Sequence, residues 1–459
     1  MGKMFLETVR SEGLAHLSYI VGHNGKAAVI DPRRDSQEYV DIAYSKGAAI
    51  THIFETHRNE DYVIGSLDLA RRTGAEIYHG KATDFEYGNP VSEGDRFEIG
   101  SLVFKILETP GHTFDSISIA LSDTSFSEEP IGVFTGDALF IGDVGRTDFF
   151  PDRKEEVAGL LYESVFKKLI PLGDDVIIYP AHGAGSVCGA GMADREFSTL
   201  GYERKHNPLL QKKKKEDFIL FKVNEHHYQP PYFKQMEIFN RKGAPELCEL
   251  PRPRPMSPSE FEKKMNSGML VIDTRSAEAF AGSFVPESLA IPLEMIPSFA
   301  GYFVNYDKGI GLITAGYEDV ETAVRFLVRM GYDNVIGYLE EGLHAWQVSG
   351  RKYDRIPAVH ATELVRRIQS DYNFTLLDVR KIDEYNEGRL PGAVHIYLGE
   401  LPDRLSEITK EKPVTTFCGS GQRAIIAASI LKQNGFEHVE DSLGSMAACQ
   451  AIGCPILEH

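Results

Sequence analysis

Apolar residues in the first half of the chain fall in short runs, each closed by a small cluster of polar residues. Ser18 to Val21 and Ala27 to Ile30 flank Asn24-Gly25, a dipeptide that favours a tight turn, so the chain is expected to open with a β-hairpin. Tyr39, Val40, Ile42 and Ala43 share one side of a helix that Asp35 or Ser36 can cap. The run Ile50 to Phe54 predicts a strand, and Val63 to Arg72 a helix behind it. Strands are expected again at Glu76 to His79, as a pair around Phe97 to Leu107, at Ile117 to Leu121, at Ile131 to Phe134 and at Val176 to Tyr179. The amphipathic run Lys154 to Leu169 predicts a helix.

The pattern changes at Pro251-Arg252-Pro253-Arg254-Pro255, which can sustain neither a helix nor a central strand and reads as a semi-rigid linker. The lysine run Lys212 to Lys215 before it reads as a solvated loop. Beyond the linker, strand-like runs alternate with helical runs such as Val320 to Met330 and Ala424 to Gln433, which predicts parallel sheets. The sequence also repeats itself. Leu270-Val271-Ile272-Asp273-Thr274-Arg275 matches Leu376-Leu377-Asp378-Val379-Arg380, and Met330-Gly331-Tyr332 matches Asn434-Gly435-Phe436, each about a hundred residues later. At 459 residues the chain is too long for one core. Three domains are expected, at residues 1–250, 251–354 and 355–459.

Three of the first-half strands end in groups that ligate metals. Glu55-Thr56-His57-Arg58-Asn59-Glu60-Asp61-Tyr62 places a histidine at a strand exit and acids at a helix mouth. Thr109-Pro110-Gly111-His112-Thr113 and Phe134-Thr135-Gly136-Asp137 close two further runs in the same way. His57, His112 and Asp137 are the candidate ligands.

The order T-H-x-x-x-D, T-P-G-H-T, T-G-D and then Tyr179-Pro180-Ala181-His182-Gly183 resembles the metallo-β-lactamase fold family. Its glyoxalase II branch carries T-H-x-H-x-D-H and holds two zinc ions, and here Asn59 and Tyr62 stand where that branch has histidines. Two histidines and one carboxylate remain. That set matches the facial triad that leaves open positions on a non-haem Fe(II), whereas structural zinc takes four closed ligands. The closer resemblance is to the persulfide dioxygenases of the same superfamily, which Gly145-Arg146-Thr147-Asp148-Phe149 and His182-Gly183-Ala184-Gly185-Ser186 also resemble. The resemblance implies an α/β chain with an αββα sandwich, its site at one edge of the sheets, and one Fe(II) per chain, with zinc as the alternative. Asp61 and His182 are then partners behind the ligands.

In both repeats the D-x-R strand end, with Leu390-Pro391-Gly392-Ala393 in the second and Glu341-Gly342-Leu343-His344-Ala345-Trp346 in the first, resembles the rhodanese family. The second repeat carries Cys418-Gly419-Ser420-Gly421-Gln422-Arg423 between a strand and a helix, which the resemblance makes the active loop, nucleophilic cysteine first and arginine sixth. Backbone N–H groups of Gly419, Ser420, Gly421 and Gln422, aimed inward at a helix N-terminus, favour thiolate and the charge of a persulfide, and Arg423 adds a fixed positive charge. At the same offset the first repeat has Thr314 and Asp319, neither able to carry sulfur, so that copy is expected to be silent.

The charge of −18 argues against a general affinity for nucleic acid or anionic membranes. An anionic substrate then needs local positive charge, for which Arg146 is the candidate. No apolar run approaches membrane-spanning length, and the five cysteines contain no C-x-x-C pair, which together predict a cytoplasmic protein with working thiols. Cys188, close behind His182, is the one to watch among those outside the loop. The implied function is oxidation of a low-molecular-weight thiol persulfide by O2 to sulfite, joined to sulfane-sulfur transfer at Cys418 with sulfite or thiosulfate as partner; a homo-oligomer is compatible with the sequence. The alternatives are a zinc-dependent thioester hydrolase of the glyoxalase II type fused to a sulfurtransferase, and a sulfur carrier with a degenerate metal domain.

Overall fold

The central strands of the first half are apolar on both faces, which makes them inner layers rather than a surface sheet. Ala27 and Val29 join one buried cluster while Ala28 and Ile30 join another, and Ile53 and Phe54 divide in the same way. One six-stranded sheet contains β1 (Phe5–Ser11), β2 (His16–His23), β3 (Lys26–Ile30), β4 (Ala49–Glu55), β5 (Glu76–Gly80) and β6 (Asn89–Val91), in that order. A second holds β7 (Arg96–Ile99), β8 (Leu102–Glu108), β9 (Ile117–Asp123), β10 (Pro130–Gly136), β11 (Ile177–Pro180) and β12 (Ser198–Thr199), again as sequential neighbours. Tyr19, Val21, Phe54, Phe104, Ile119 and Phe134 fill the space between the sheets. Tyr39, Ala43 and Leu69, from helices Gln37–Ser45 and Ser66–Thr73, cover the outer face of the first sheet. Leu161 and Phe218, from helices Lys154–Glu163 and Lys215–Asn224, cover that of the second. This is the αββα sandwich. In this computed structural model the described residues are 3–186, 189, 191–370 and 372–458; Cys188 lies outside them.

The chain divides into two units, Met1–Leu250 with Val328–Gly331 and Pro251–Leu327 with Tyr332–His459. In the second unit, β13 (Arg254–Met256), β14 (Leu270–Asp273), β15 (Leu289–Ala290), β16 (Ile310–Ile313) and β17 (Val335–Leu339) form a sheet in the order β13-β17-β16-β14-β15. β18 (Thr375–Asp378), β19 (Val394–His395), β20 (Val414–Phe417) and β21 (Val439–Asp441) form another, ordered β19-β18-β20-β21. Every pairing in both is parallel, as the alternation of strands and helices requires.

Four local expectations are corrected. The hairpin of β2 and β3 forms, with Asn24 and Gly25 both at positive φ, but β1 precedes it and pairs with β2. The helix expected from Val63 starts at Ser66, since the Ile64 N–H is taken by the Asn240 side chain. The run Lys154 to Leu169 is α-helical to Glu163 and then widens to π over Ser164–Leu169. The end of the proline-rich linker enters the sheet as β13, an edge position that tolerates proline. No helix among the described residues is long and apolar enough to cross a membrane.

Candidate functional site

The loops after β4, β8, β10 and β11 bring His57, His112, Asp137 and His182 together, all buried. Two close approaches need glycine. A Cβ at Gly136 (φ +52) would lie 2.7 Å from Thr56 Oγ1, and one at Gly145 would lie 2.0 Å from the Asp137 carbonyl oxygen.

Asp137 Oδ2 lies 3.5 Å from His112 Nε2 and 3.8 Å from His57 Nε2, and the two imidazoles stand nearly perpendicular, their centroids 5.0 Å apart. These three residues each offer a ligand atom, and among the described residues they are the group whose atoms lie within 4.8 Å of one another. Each histidine is turned by its other nitrogen. His112 Nδ1 donates to the Arg146 carbonyl at 3.0 Å. Thr56 Oγ1 donates to Asp31 Oδ2 at 2.7 Å, so it accepts from His57 Nδ1 at 3.0 Å. Both Nε2 lone pairs are thereby left to face Asp137.

Burial, only partly offset by Asp137, pushes His57 down to about 3 and lowers His112 as well. Burial would also lower His182, but Asp137 Oδ1 at 2.8 Å from its Nδ1 and Asp61 Oδ2 at 3.1 Å from its Nε2 raise it well above the usual imidazole range. Burial alone would raise Asp137, and His182 and His57 hold it instead well below the carboxylate range. The site is thus two neutral histidines and an anionic carboxylate backed by a cationic histidine. His112 Nε2 and Asp137 Oδ2 are buried without a hydrogen-bond partner, which is costly for a carboxylate oxygen and is relieved by a cation between them. The donor set therefore fits a divalent metal ion.

Asn59 Nδ2 donates to the His57 carbonyl at 3.2 Å, and the Tyr62 ring lies tilted by 34° with its centroid 4.1 Å from that of His16, while Asn59 Oδ1 and the Tyr62 hydroxyl are buried without a hydrogen-bond partner. The Arg146 guanidinium, buried and 4.8 Å above the Phe149 ring, forms a two-pronged pair with Asp148 at 2.6 and 2.7 Å. Sequence reasoning did not single out Asp31, Thr56 or Glu60. Glu60 Oε2 lies 3.7 Å from His112 Nε2, and burial raises this carboxyl to about 8. Its position among the acids after His57 was the available signal.

In the second unit Cys418 follows β20 and is fully buried. Gly421, at φ 106, donates its N–H to Cys418 Sγ at 3.0 Å, and Gln422 begins the helix Gln422–Gln433. Ser420 and Gln422 are exposed, whereas the Gly419 carbonyl accepts from Ala447 N. Arg423 is clamped by Glu384 at 2.6 and 2.7 Å. Ser445, in the left-handed region at φ 41, accepts from Cys418 N at 3.0 Å and ties the loop to helix Ser445–Ile452. The sequence reading missed Glu384 and Ser445.

Comparisons with known proteins agree with both regions. The family model for the metallo-beta-lactamase superfamily matches residues 12–182, and that for the rhodanese-like domain matches 257–349 and 360–451. Hydroxyacylglutathione hydrolase GloC of Haemophilus influenzae is 30% identical over 209 residues, covering 41% of this chain and 88% of the relative. Mitochondrial persulfide dioxygenase ETHE1 of Homo sapiens is 30% identical over 201 residues, covering 42% of this chain and 70% of the relative. The crystal structure of a metallo-beta-lactamase from Staphylococcus aureus subsp. aureus COL superposes with a TM-score of 0.67 at 32% identity, over 73% of this chain and 98% of that one. The chain belongs to the metallo-beta-lactamase superfamily, and behind its lactamase-type sandwich it carries two rhodanese-like domains in tandem.

Proposed function

We propose that this protein oxidises a low-molecular-weight thiol persulfide to sulfite, using a mononuclear non-haem iron held by His57, His112 and Asp137, and that Cys418 transfers sulfane sulfur. The balanced oxidation is RSSH + O2 + H2O → RSH + SO3²⁻ + 2H⁺. The observation that carries this reading is the convergence of two imidazole nitrogens and one carboxylate oxygen, two of them buried and unpartnered. Three ligands leave coordination positions for substrate and O2, as in the facial triad of non-haem iron oxygenases. The iron would supply the redox chemistry with O2 that no side chain can perform. Thr56 and the Arg146 carbonyl orient the two imidazoles, His182 holds the second oxygen of Asp137, and the Phe149 ring, 5.2 Å from that of His112, helps keep water out. An anionic substrate reaching Arg146 has to compete with Asp148 for the guanidinium.

At Cys418 the proposed step is covalent. The thiolate attacks the outer sulfur of a persulfide, the R–S⁻ thiolate leaves, and the cysteine persulfide hands that sulfur to a second nucleophile such as sulfite, giving thiosulfate. The Gly421 N–H on Sγ stabilises the anionic sulfur before and after transfer.

The likeness to GloC keeps one other reading, a zinc-dependent thioester hydrolase. Asn59 and Tyr62 weigh against it, because each stands where a histidine ligand of the zinc pair is expected. Anaerobic purification and metal analysis separate the two: about one iron per chain supports the oxygenase, and two zincs the hydrolase. Asp137→Ala is expected to lose bound metal and persulfide-dependent oxygen uptake together. Full oxygen uptake by metal-free Asp137→Ala protein overturns the assignment.

A further inference from the structure

Two cysteines outside the transfer loop are brought together by the way a helix ends. Helix Ser445–Ile452 stops at Gly453, which takes the left-handed conformation at φ 71. Cys454 N then donates to the Cys449 carbonyl at 2.9 Å, and Gly453 N to that of Gln450 at 3.3 Å. This is the paired-bond stop in which the residue after the left-handed glycine folds back on the last turn, and its side chain normally makes an apolar contact there. Here both contact residues are cysteines. Both are reduced, Cys449 is fully buried, Cys454 is 8% exposed, and they belong to one apolar cluster with Phe417 and Met446. Burial and a hydrogen bond from Cys454 raise the Cys449 thiol. The start of the same helix holds the Cys418 loop, through Ser445 Oγ on Cys418 N and Met446 N on the Cys418 carbonyl.

We infer that Cys449 and Cys454 form a dithiol site that accepts sulfane sulfur and discharges it as hydrogen sulfide by closing to a disulfide. The oxidant is a persulfide or inorganic polysulfide, the compound class of the proposed function, on which the choice of oxidant rests. Cys454, the more exposed thiol, attacks the outer sulfur of RSSH as thiolate and displaces RS⁻, leaving Cys454–S–SH. Cys449 then attacks the inner sulfur of Cys454. The Cys449–Cys454 bond forms, the S–SH bond breaks, and the Cys449 proton leaves with the departing sulfur as hydrogen sulfide. Overall, RSSH and two protein thiols give RSH, hydrogen sulfide and one disulfide, the sulfane sulfur being reduced by two electrons. The site thus sits at one end of a helix whose other end holds the transfer loop.

The test treats the full chain anaerobically with inorganic polysulfide, then blocks remaining thiols and maps peptides by mass. The expected result is a Cys449–Cys454 disulfide, two fewer blocked thiols and free sulfide, with Cys449→Ser instead retaining one added sulfur on Cys454. Diamide, which forms disulfides without donating sulfur, is expected to give the same bond. Two blocked thiols after both reagents, or a disulfide from either cysteine to Cys418, overturns the site. Closure by diamide alone overturns the sulfane-sulfur assignment. Because the reading is covalent mass, failure of the iron or Cys418 chemistry leaves this result unaffected.

Discussion

The two rhodanese-like copies share a frame and differ in what the frame holds. In the first, Arg275 grips Asp273 with two nitrogens and reaches the Ser283 carbonyl at 2.8 Å; in the second, Arg380 grips Asp378 and reaches the Gly388 carbonyl at 2.7 Å. Both carboxylates are fully buried at the end of a central parallel strand. Around this common clamp three positions change together. Counted from the arginine, Glu384 of the second copy corresponds to Ala279 of the first. Counted from the end of the strand before each loop, Cys418 and Arg423 correspond to Thr314 and Asp319. The hydrogen bonds inside the two loops differ. Gly421 N–H points at the Cys418 sulfur, whereas in the first copy Gly316, which stands where the second has Ser420, donates its N–H to Asp319 Oδ2 at 3.2 Å, and Thr314 Oγ1 donates to the Gly316 carbonyl at 2.8 Å. In the first copy one loop N–H is thus taken by the copy's own carboxylate. Frame and loop are therefore separable here: the clamp is shared by both copies, and the residues that differ are those of the loop.

The largest effect expected from this contrast is at Cys418, the proposed nucleophile. Cys418→Ser is expected to abolish sulfurtransferase turnover while sulfite release in the lactamase-type domain continues, since a hydroxyl is a poor nucleophile and cannot hold a persulfide. Unchanged turnover in this variant would break the comparison outright. Next in size is the shared clamp. Arg380→Ala leaves the buried Asp378 carboxylate without its cation and is expected to cost about 3 kcal/mol, and Arg275→Ala a similar amount, because removing one partner of a buried pair strands a charge. Urea unfolding checks this, and a negligible cost in either copy removes the claim that both share one frame.

How legible each region was in the sequence follows from how far apart its partners lie. His57, His112, Asp137 and Cys418 each stand in a local motif at a strand end, so residue type and neighbours are enough to mark them as candidates. Asp31 reaches Thr56 across 25 residues, Ser445 reaches Cys418 across 27, and Glu384 reaches Arg423 across 39. Such pairings depend on which strands become neighbours, and periodicity along one strand carries no trace of them. Arg146 illustrates the same limit within a single residue. Its motif marked it, but only the fold reveals that Asp148 holds its guanidinium and that its carbonyl sets the tautomer of His112. Element boundaries drifted where side chains from elsewhere capture backbone groups, as Asn240 does at Ile64.

A third difference between the copies concerns pH. Asp441 ends β21 in the second copy, and burial raises its carboxyl to about 7 despite a hydrogen bond from Thr416, while β17 of the first copy has no acid among its residues. The folded state therefore binds more protons than the unfolded state between the ordinary carboxyl value and 7. Stability from this group is complete below that window and is lost as pH rises through 7. The loss amounts to up to about 4 kcal/mol at 1.36 kcal/mol per unit. Asp441→Asn is expected to flatten the fall in unfolding midpoint between pH 5 and pH 8, and an unchanged slope would assign the pH dependence elsewhere.

The smallest expected effect is at Thr314. Thr314→Ala removes one hydrogen bond to the Gly316 carbonyl in a side chain that is 8% exposed, a change of about 1 kcal/mol, and should leave sulfurtransferase turnover at the wild-type rate. Thr314→Cys sharpens the point, since it restores a thiol at the head of the loop without removing the Asp319 carboxylate. Asp319 still occupies the Gly316 N–H, and its carboxylate repels both a thiolate and an incoming persulfide anion, so the new cysteine should gain no sulfur on incubation with a donor. Adding Asp319→Arg removes that internal anion but not the lack of a carboxylate at Ala279 to orient the guanidinium as Glu384 does for Arg423. Sulfur on Thr314→Cys, read by mass in a Cys418→Ser background, would mean that the thiol alone separates the two copies. Sulfur that appears only with Asp319→Arg would place the difference in the charge of Asp319.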